Sequence, residues 1–499
     1  MTPAQLRKLD EALSAYLDEM VVGMGRLERR RAMEAYVTGL LLDGERKSIE
    51  PMASRLVEDA RKVEAMRQRL QQCVSQGTWS DEALRERLAR KLETEVPELE
   101  ALVVDDTGFP KKGQHSVGVA RQYSGTLGRT DNCQVAVSLH LAGPRGSGCI
   151  GMRLYLPEEW VTDTARRKAA GVPETVGAAR KWELALEQLD DALKWGVRRH
   201  VVLADAGYGN CREFGEGLTA RRLPYLVGVP GQHKVWPPGT APHLPVKKAG
   251  EYGRPRMRFV TDSGVQPWTI EELARQLPEE EYRRVSWREG SRGTQSSTFA
   301  AVRIQVAEGH VVRKAPGTPE WLLCEWPQGE AAPTKFYLSS LPADTSLKRL
   351  VTLAKLRWRV ERDYQEMKGE VGLDHFEGRT WRGFHHHATL CMVAHGFLAL
   401  RRALSPPGAR RCGRFLRFDV AFSTCCCAAS AIARCASADS ALALLHSGRP
   451  ASAQVVLALK PAEAIGVVFR IVMAVGCRPP RGRRVHCLRG WRETGAKAP

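Results

Sequence analysis

Two short apolar runs in this chain each end in carboxylates. Residues 101–104 (Ala-Leu-Val-Val) precede Asp105 and Asp106, and residues 201–204 (Val-Val-Leu-Ala) precede Asp205. Apolar runs of four or five residues followed by Gly-containing turns are typical of buried strands. A carboxylate at the end of a buried strand is costly unless it binds something positive. The two runs therefore predict a buried sheet with a charged site at its edge.

A third carboxylate, Glu361, lies in a stretch without Gly or Pro that predicts a helix over residues 353–368. At about 100° per residue, four residues fall within roughly 60° of one another: Arg357, Glu361, Tyr364 and Lys368. Glu361 is thus placed between two cations, beside an apolar stripe. Two interpretations are open: a solvated helix with intrahelical ion pairs, or one wall of the same charged site.

Two strand-end acids and one helix acid can form a cage of hard oxygen ligands. Mg²⁺ prefers a few carboxylates plus water and substrate phosphate, and two such ions can promote phosphodiester cleavage. Because side chains alternate on a strand, only one of the two adjacent aspartates faces the cage. The predicted metal ligands are therefore Asp105 or Asp106, together with Asp205 and Glu361.

The motifs around these acids resemble the DDE transposases of bacterial insertion sequences. Arg357, Glu361 and Lys368 fit the spacing of a Tyr-Arg-Glu-Lys signature found in one branch of that family, although Ala354 stands at the Tyr position. Further segments resemble this branch in the right order: residues 105–113, 122–128, 132–134 and 204–209. The resemblance covers about residues 15–400.

This resemblance implies an RNase H-like core, two Mg²⁺ or Mn²⁺ ions per active site, and cutting and joining of DNA. It implies Asp105, Asp205 and Glu361 as the catalytic metal ligands. The family usually places its first Asp two residues before a Thr or Ser, which favours Asp105, before Thr107, over Asp106. The implied partners are double-stranded DNA, as element ends and as target, and a second copy of the chain in a synaptic homodimer.

Five residues are candidates for DNA binding. We expect Arg357 and Lys368 to contact phosphate near the cut, although both can also pair with Glu361 alone. Lys111 and Lys112, in a Gly-Pro loop beside the first acid, are candidate backbone contacts. Trp287, among several arginines, either stacks on an unpaired base or anchors a protein core.

The expected fold class is α/β, an RNase H-like catalytic core with a mainly β insertion, an N-terminal helical domain and an irregular basic C-terminal tail. The expected ranges are 1–95 for the helical domain, 96–229 and 334–404 for the core, 230–333 for the insertion and 405–499 for the tail. The helical domain either grips element-end DNA or is an ordinary helical subdomain with a basic face. Strands are expected over 101–105, 132–141, 149–156, 199–204, 224–229 and 335–340, with helices over 177–195 and from about Thr389 to Arg402.

The composition changes after about residue 405. Residues 406–499 contain 15 Lys and Arg, 4 Asp and Glu, and 7 of the 13 cysteines, including three in a row at 425–427. One hypothesis is a frameshift near residue 405, which predicts low order and few contacts with the core for residues 410–499. The alternative is a basic arm that lies on DNA. Under either hypothesis, the net charge of the whole chain is weaker evidence for a nucleic-acid partner, because the tail supplies much of that charge.

The net charge of +19 and the isoelectric point of about 9.6 favour a polyanionic partner, most often nucleic acid. No apolar run approaches 18 residues and the N-terminus lacks an apolar signal core, so we expect no membrane span and a cytoplasmic protein, nucleoid-associated if the bacterial family is right. Thirteen cysteines without a Cys-x-x-Cys pair argue against a disulfide framework and a zinc ribbon.

Two other functions compete with that of a transposase. One is an RNase H-like nuclease or resolvase that cuts without joining. The other is a catalytically impaired descendant that only occupies element ends as a repressor, which the departure at Ala354 would favour. No phosphate-binding P-loop motif occurs, so ATP is not implied.

Overall fold

The computed structural model describes residues 3–246, 250, 252–253, 259–290, 293–307 and 317–404. These residues form a mixed α/β structure in which five helices precede the first strand. Both hypotheses for the tail, the frameshift and the basic arm, concern residues that lie outside the described ranges.

The helices of the described chain have the following bounds: α1 Pro3–Val21, α2 Leu27–Leu41, α3 Ile49–Leu56, α4 Val63–Ser75, α5 Asp81–Glu95, α6 Glu158–Thr162, α7 Thr164–Ala170, α8 Lys181–Lys194, α9 Ala206–Gly209, α10 Arg212–Ala220, α11 Ile270–Gln276, α12 Leu347–Leu356, α13 Trp358–Gly369 and α14 Trp381–Ala403. Polar caps set several of these ends. The Ser80 hydroxyl accepts the backbone N–H of Ala83 at 3.1 Å and so starts α5.

The strands have the following bounds: β1 Ala101–Pro110, β2 Ala120–Ser124, β3 Arg129–Ala142, β4 Ser147–Leu154, β5 Val201–Ala204, β6 Tyr225–Val229, β7 Lys234–Trp236, β8 Trp268–Thr269, β9 Arg283–Gly290, β10 Gly293–Val306, β11 Glu320–Trp326 and β12 Lys335–Ser339. Their order in the sheet is β2-β3-β1-β5-β6-β12-β11-β10-β7-β8, with β4 also paired to β3 and β9 to β10. Each strand expected from the sequence is present, with different ends.

Strand β1 is the one that carries the first acids. It pairs antiparallel with β3 from Ala101 to Pro110, and parallel with β5 only from Ala101 to Val103. The expected end of this strand at its carboxylates, with a turn at Thr107, is therefore wrong. The strand continues because β3 supplies hydrogen-bond partners past the acids, while the pairing with β5 stops short of them.

The two faces of β1 pack in different cores. Leu102 and Val104 lie in the larger core, which also contains buried residues of α5, α8 and α14. Ala101 and Val103 lie in a second core with apolar residues of α12 and α13. Because side chains alternate, Asp105 belongs to the α12–α13 face and Asp106 to the opposite face.

The helix predicted over residues 353–368 is divided at Arg357, between α12 and α13. Arg357 keeps right-handed helical angles, with φ −56° and ψ −22°. The N–H of Val360 bonds to its carbonyl at 3.1 Å, a three-residue spacing that tightens the turn. The division thus reflects a locally tightened turn and not a loop.

Helix α14 begins at Trp381 and not near Thr389. The hydroxyl of Thr380 accepts the N–H of Gly383 at 3.1 Å and caps the earlier start.

Between β6 and β12, residues 230–333 contribute β7 to β11 and α11. Strand β11 pairs with β12, so this segment extends the sheet. None of the helices in the described ranges is long and apolar enough to cross a membrane.

Candidate active site

Asp105 lies in the middle of β1 and is 9% exposed. Its Oδ2 accepts a hydrogen bond from the Arg357 guanidinium at 3.0 Å. Burial raises the pKa of Asp105 to about 6, against the lowering effect of Arg357, and the negative charge of Asp205 adds to the rise. Asp105 is therefore a buried carboxylate whose charged form is costly even with Arg357 beside it.

Asp205 follows β5 directly and caps α9. Its carboxylate accepts the backbone N–H groups of Gly207 at 3.0 Å and Tyr208 at 3.3 Å. In the parallel register Val103 lies opposite Leu203, so Asp105 and Asp205 are each two residues beyond a paired position. The two aspartates therefore lie at matching heights just past the parallel pairing of β1 with β5, although only β5 ends there.

The glycines after Asp205 shape this turn. A Cβ on Gly209 would lie 1.9 Å from the carbonyl oxygen of Gly228 on β6. A side chain at Gly209 would therefore push the turn off the sheet. The close approach accounts for a glycine here without any nucleotide-binding role.

Glu361 lies in the first turn of α13 and is exposed. Burial lowers the pKa of Arg357. Attraction to the carboxylates of Asp105, Asp205 and Glu361 exceeds that effect and raises the pKa of Arg357 overall. Arg357 is thus a common counter-charge for the three predicted catalytic acids, and the structure brings them into one electrostatic neighbourhood.

Asp106 has a different ion-pair partner, although its charge also contributes to the raised pKa of Asp105. Its carboxylate pairs with the ammonium of Lys181, at the start of α8 on the other face of the sheet. The Lys181 ammonium also lies 6.0 Å from the centre of the Tyr155 ring. Of the two adjacent aspartates, Asp105 therefore shares a face with the helix of Glu361.

The four predicted phosphate contacts occupy two places. Arg357 is bonded to Asp105, and Lys368 donates to the carbonyl of Gly108 at 2.8 Å, near the end of β1. Lys111 donates to the carbonyl of Phe376 at 2.9 Å, and Lys112 is exposed. Lys111 and Lys112 line a cleft of about 370 Å³, whose other charged lining residues include Arg46, Asp374, Glu377 and Arg379.

Trp287 is half-buried on β9. Its ring meets the Phe299 ring edge-on, with 6.0 Å between centroids, and the Lys355 ammonium lies 5.0 Å from its centre. These contacts are those expected of a core anchor. They favour that interpretation of Trp287 over the stacking of a DNA base.

The donor atoms suit a hard divalent cation, because all three predicted ligands are carboxylates and the pKa of Asp105 is raised to about 6. Among the described residues, no three His, Cys, Asp or Glu side chains are already arranged around a metal position. Arg357 is bonded to Asp105 in this arrangement. The donor types thus fit the metal, and Arg357 already occupies one acceptor position of the Asp105 carboxylate.

Behind the acids lies a buried polar network that the sequence did not reveal. His140 on β3 bonds through Nδ1 to Asp363 at 2.8 Å and through Nε2 to the Ser138 hydroxyl at 3.0 Å. Ser138 also bonds to the Tyr364 hydroxyl, and its own hydroxyl donates to the carbonyl of Asp105 at 3.4 Å. Ser147 donates to the other oxygen of Asp363 at 2.7 Å.

The charge state of this network follows from its contacts. Burial opposes protonation of His140 and lowers its pKa. Electrostatic attraction and hydrogen bonding to Cys149 and to the Asp363 carboxylate raise that pKa overall, to about 10. The hydrogen bond to the Asp363 carboxylate thus favours the protonated form of His140. Nothing in the local sequence pattern connects His140 with Asp363.

Two comparisons with known proteins give the family. A family model described as DDE superfamily endonuclease matches residues 19–294. A probable transposase for insertion sequence element IS701 from Microchaete diplosiphon is 34% identical over 135 residues. That alignment covers 27% of this chain and 33% of the relative, so the chain spans about a third of the relative's length. With more than half of its residues matched by the family model, the chain belongs to the DDE superfamily endonucleases.

Proposed function

We propose that this protein is a transposase that binds the ends of an insertion sequence, cuts them and joins them to target DNA. The observation that carries the proposal is that Arg357, bonded to Asp105, is also attracted by the carboxylates of Asp205 and Glu361, in a chain of the DDE superfamily endonucleases. Three acids in such a grouping suit the cleavage of phosphodiester bonds.

We further propose an RNase H-like core. The strand order β4-β3-β1-β5-β6 supports it, with β3 antiparallel to β1, and β5 and β6 parallel to β1. The proposed domains are residues 96–229 and 334–404 for this core, 1–95 for binding the DNA ends and 230–333 for the insertion.

In the proposed site, Asp105, Asp205 and Glu361 would hold two Mg²⁺ or Mn²⁺ ions. Such ions, when bound, activate the attacking oxygen and stabilise the leaving one. Asp106, the alternative ligand, is less suitable because it pairs with Lys181 on the other face. Asp205 is kept in place by its bonds to the N–H groups of the α9 turn.

The chain's own cations would place the DNA. Arg357 would exchange Asp105 for a phosphate oxygen when the carboxylate turns to its ligand position, and Lys368 would bind a phosphate beside Gly108. In the cut, the bond from water oxygen to phosphorus forms and the bond to the 3′-oxygen breaks, leaving a 3′-hydroxyl. That hydroxyl then attacks a target phosphodiester, and the target's own 3′-oxygen leaves.

The cleft lined by Lys111 and Lys112 is the proposed track for the DNA beyond the cut. Pro110, at its edge, lies five residues along β1 from Asp105, or about 17 Å at the usual rise of a strand. Arg379 adds positive charge from a further loop, whereas the charge of Arg46 is paired with Glu377. The distance of about 17 Å between Asp105 and Pro110 corresponds to a few nucleotides of the bound strand.

Synapsis of two ends makes a homodimer part of the proposal, and DNA as substrate makes a cytoplasmic, nucleoid-associated location part of it. The two competing functions differ in their products. A nuclease would cut and never join, and an impaired descendant would bind without cutting.

The test uses purified protein, Mg²⁺, a linear duplex that carries the gene's own flanking DNA, and a supercoiled target plasmid. Joined duplex and plasmid, with a new 3′-linked strand, support the transposase. Cleaved duplex without joined product identifies a nuclease, and a retarded but uncut duplex identifies a binding protein. Inverted repeats and short direct duplications in the flanking DNA provide an independent check.

A further inference from the structure

The buried network connects the proposed ligand strand to the proposed ligand helix by a short path. Ser138 is the direct cross-strand neighbour of Asp105 in the β1–β3 register, and its hydroxyl donates to the carbonyl of that residue. Tyr364 lies one turn after Glu361 on α13 and bonds to the same Ser138 hydroxyl. A path through Ser138 and Tyr364 therefore joins the backbone of Asp105 to the helix of Glu361.

A second bond fixes the same helix. His140, two residues after Ser138 on β3, bonds to Asp363, and Asp363 also accepts the hydroxyl of Ser147 on β4. Helix α13 is thus held against β3 and β4 at successive residues, 363 and 364. Together these bonds restrict both rotation and sliding of the helix that presents Glu361.

The order Ser138, His140, Asp363 is that of a hydrolase triad, with the imidazole between hydroxyl and carboxylate. The three residues are 0%, 0% and 3% exposed. A substrate carbonyl could not reach the Ser138 oxygen, which already contacts Tyr364 and the Asp105 backbone. Ser138 therefore does not act as a nucleophile. The three residues instead hold β3 against α13 and the backbone of β1.

We propose that Ser138, His140, Asp363 and Tyr364 are positioning residues that set the distance between Glu361 and Asp105, so that both carboxylates reach the same pair of divalent ions. The inference rests on the proposed function, since it presupposes the metal site. Bonds outside the ligand sphere that orient ligands are commonly worth about 10-fold to 100-fold in metal affinity.

The test is a titration of the full-length protein with Mn²⁺ in the absence of DNA, in which electron paramagnetic resonance measures the free Mn²⁺. Tyr364→Phe removes one hydroxyl and keeps the ring, and Ser138→Ala removes the shared oxygen. The matched control is Tyr16→Phe, which removes a buried hydroxyl that donates to the Val393 carbonyl at 2.8 Å, between α1 and α14. Thermal unfolding measures the stability cost of each variant.

We expect Tyr364→Phe and Ser138→Ala to weaken Mn²⁺ binding about 10-fold or more, and Tyr16→Phe to leave it unchanged at a similar cost in stability. Wild-type Mn²⁺ affinity in Tyr364→Phe and Ser138→Ala overturns the inference. So does an equal weakening in Tyr16→Phe, which would reveal a general effect of stability.

Glu361→Gln in the same titration separates this failure from that of the proposed function. If the wild type binds Mn²⁺ no better than Glu361→Gln, the metal site itself is wrong and the positioning role is overturned with it. If Glu361→Gln binds weakly and Tyr364→Phe binds normally, only the positioning role is overturned.

Discussion

The guanidinium of Arg357 lies 3.0 Å from the carboxylate of Asp105. This ion pair joins the tight turn between α12 and α13 to the middle of β1. It has two opposite effects, because it neutralises a buried carboxylate and, in the proposed site, would compete with a metal ion for that carboxylate. The balance between these effects can be measured through stability, metal binding and cleavage.

The raised pKa of Asp105 makes stability depend on pH. Its pKa in the folded protein is about 6, above the ordinary value of 3.8, so the folded state binds the proton more tightly than the unfolded state. Stability therefore falls as pH rises from about 4 to about 6, by on the order of 3 kcal/mol at about 1.36 kcal/mol per pKa unit. Asp105→Asn should remove this loss and unfold at a higher temperature than the wild type at about pH 7.5.

At a pH of about 4 the two proteins should unfold at closer temperatures, since Asp105 is then protonated in the folded state. Added Mg²⁺ should stabilise the wild type at about pH 7.5 and have little effect on Asp105→Asn. A wild type that is more stable than Asp105→Asn at the higher pH without metal would contradict the raised pKa of Asp105 in the folded protein.

Glu361→Ala and Asp205→Ala should abolish Mg²⁺-dependent cleavage, by at least about 100-fold, because each removes a proposed ligand. DNA affinity should persist, since it depends mainly on phosphate contacts. The measurement is cleavage and gel retardation of the same duplex. The control is Glu370→Ala, at the other end of α13, which should cleave normally. Normal cleavage by either ligand variant would show that its carboxylate is not a ligand.

Arg357→Ala should shift the pH dependence of Mn²⁺ binding. Arg357 lowers the pKa of Asp105, so its removal should raise that pKa further and move the midpoint of metal binding to higher pH. Cleavage should be weakened less than in Glu361→Ala, and its dependence on salt should become shallower because one phosphate contact is lost. Arg357→Lys keeps the charge and should show a smaller shift. A midpoint that moves to lower pH would contradict the assignment.

Replacing cations of the cleft should weaken DNA binding without sequence preference. Lys112→Ala and Arg379→Ala should each reduce the slope of log affinity against log salt by about 0.9 for every phosphate that the variant no longer neutralises. Lys194→Ala, on the exposed end of α8 beside Glu82, is the control and should leave the slope unchanged. Unchanged slopes in both cleft variants would show that the DNA follows another path.

The local sequence pattern was sufficient to predict where the strands lie and which residues share one face of α13, because both depend on the spacing of apolar residues. It was not sufficient for the end of β1, since Thr107 and Gly108 remain in the strand only because β3 pairs with them. The pairing of His140 with Asp363 depends on how β3 and α13 meet, across 223 residues of sequence. A short stretch of sequence therefore cannot predict this pairing.

The two adjacent aspartates show the same limit. Alternation along a strand requires that Asp105 and Asp106 face opposite sides, but not which side α13 covers. Lys181 distinguishes the sides from elsewhere in the chain, because its pairing with Asp106 marks the α8 face. The family motif, in which the first Asp precedes Thr107 by two residues, favours Asp105 as well.

The separation of Asp105 and Arg357 by 252 residues also sets a time. At about 5 to 20 residues per second, a ribosome needs roughly 13 to 50 s to make the chain between them. During that interval the first strand exists without the arginine that neutralises it and without the helix that carries Glu361. A partly made copy therefore lacks both Arg357 and Glu361, and the proposed metal site cannot assemble before α13 has been synthesised.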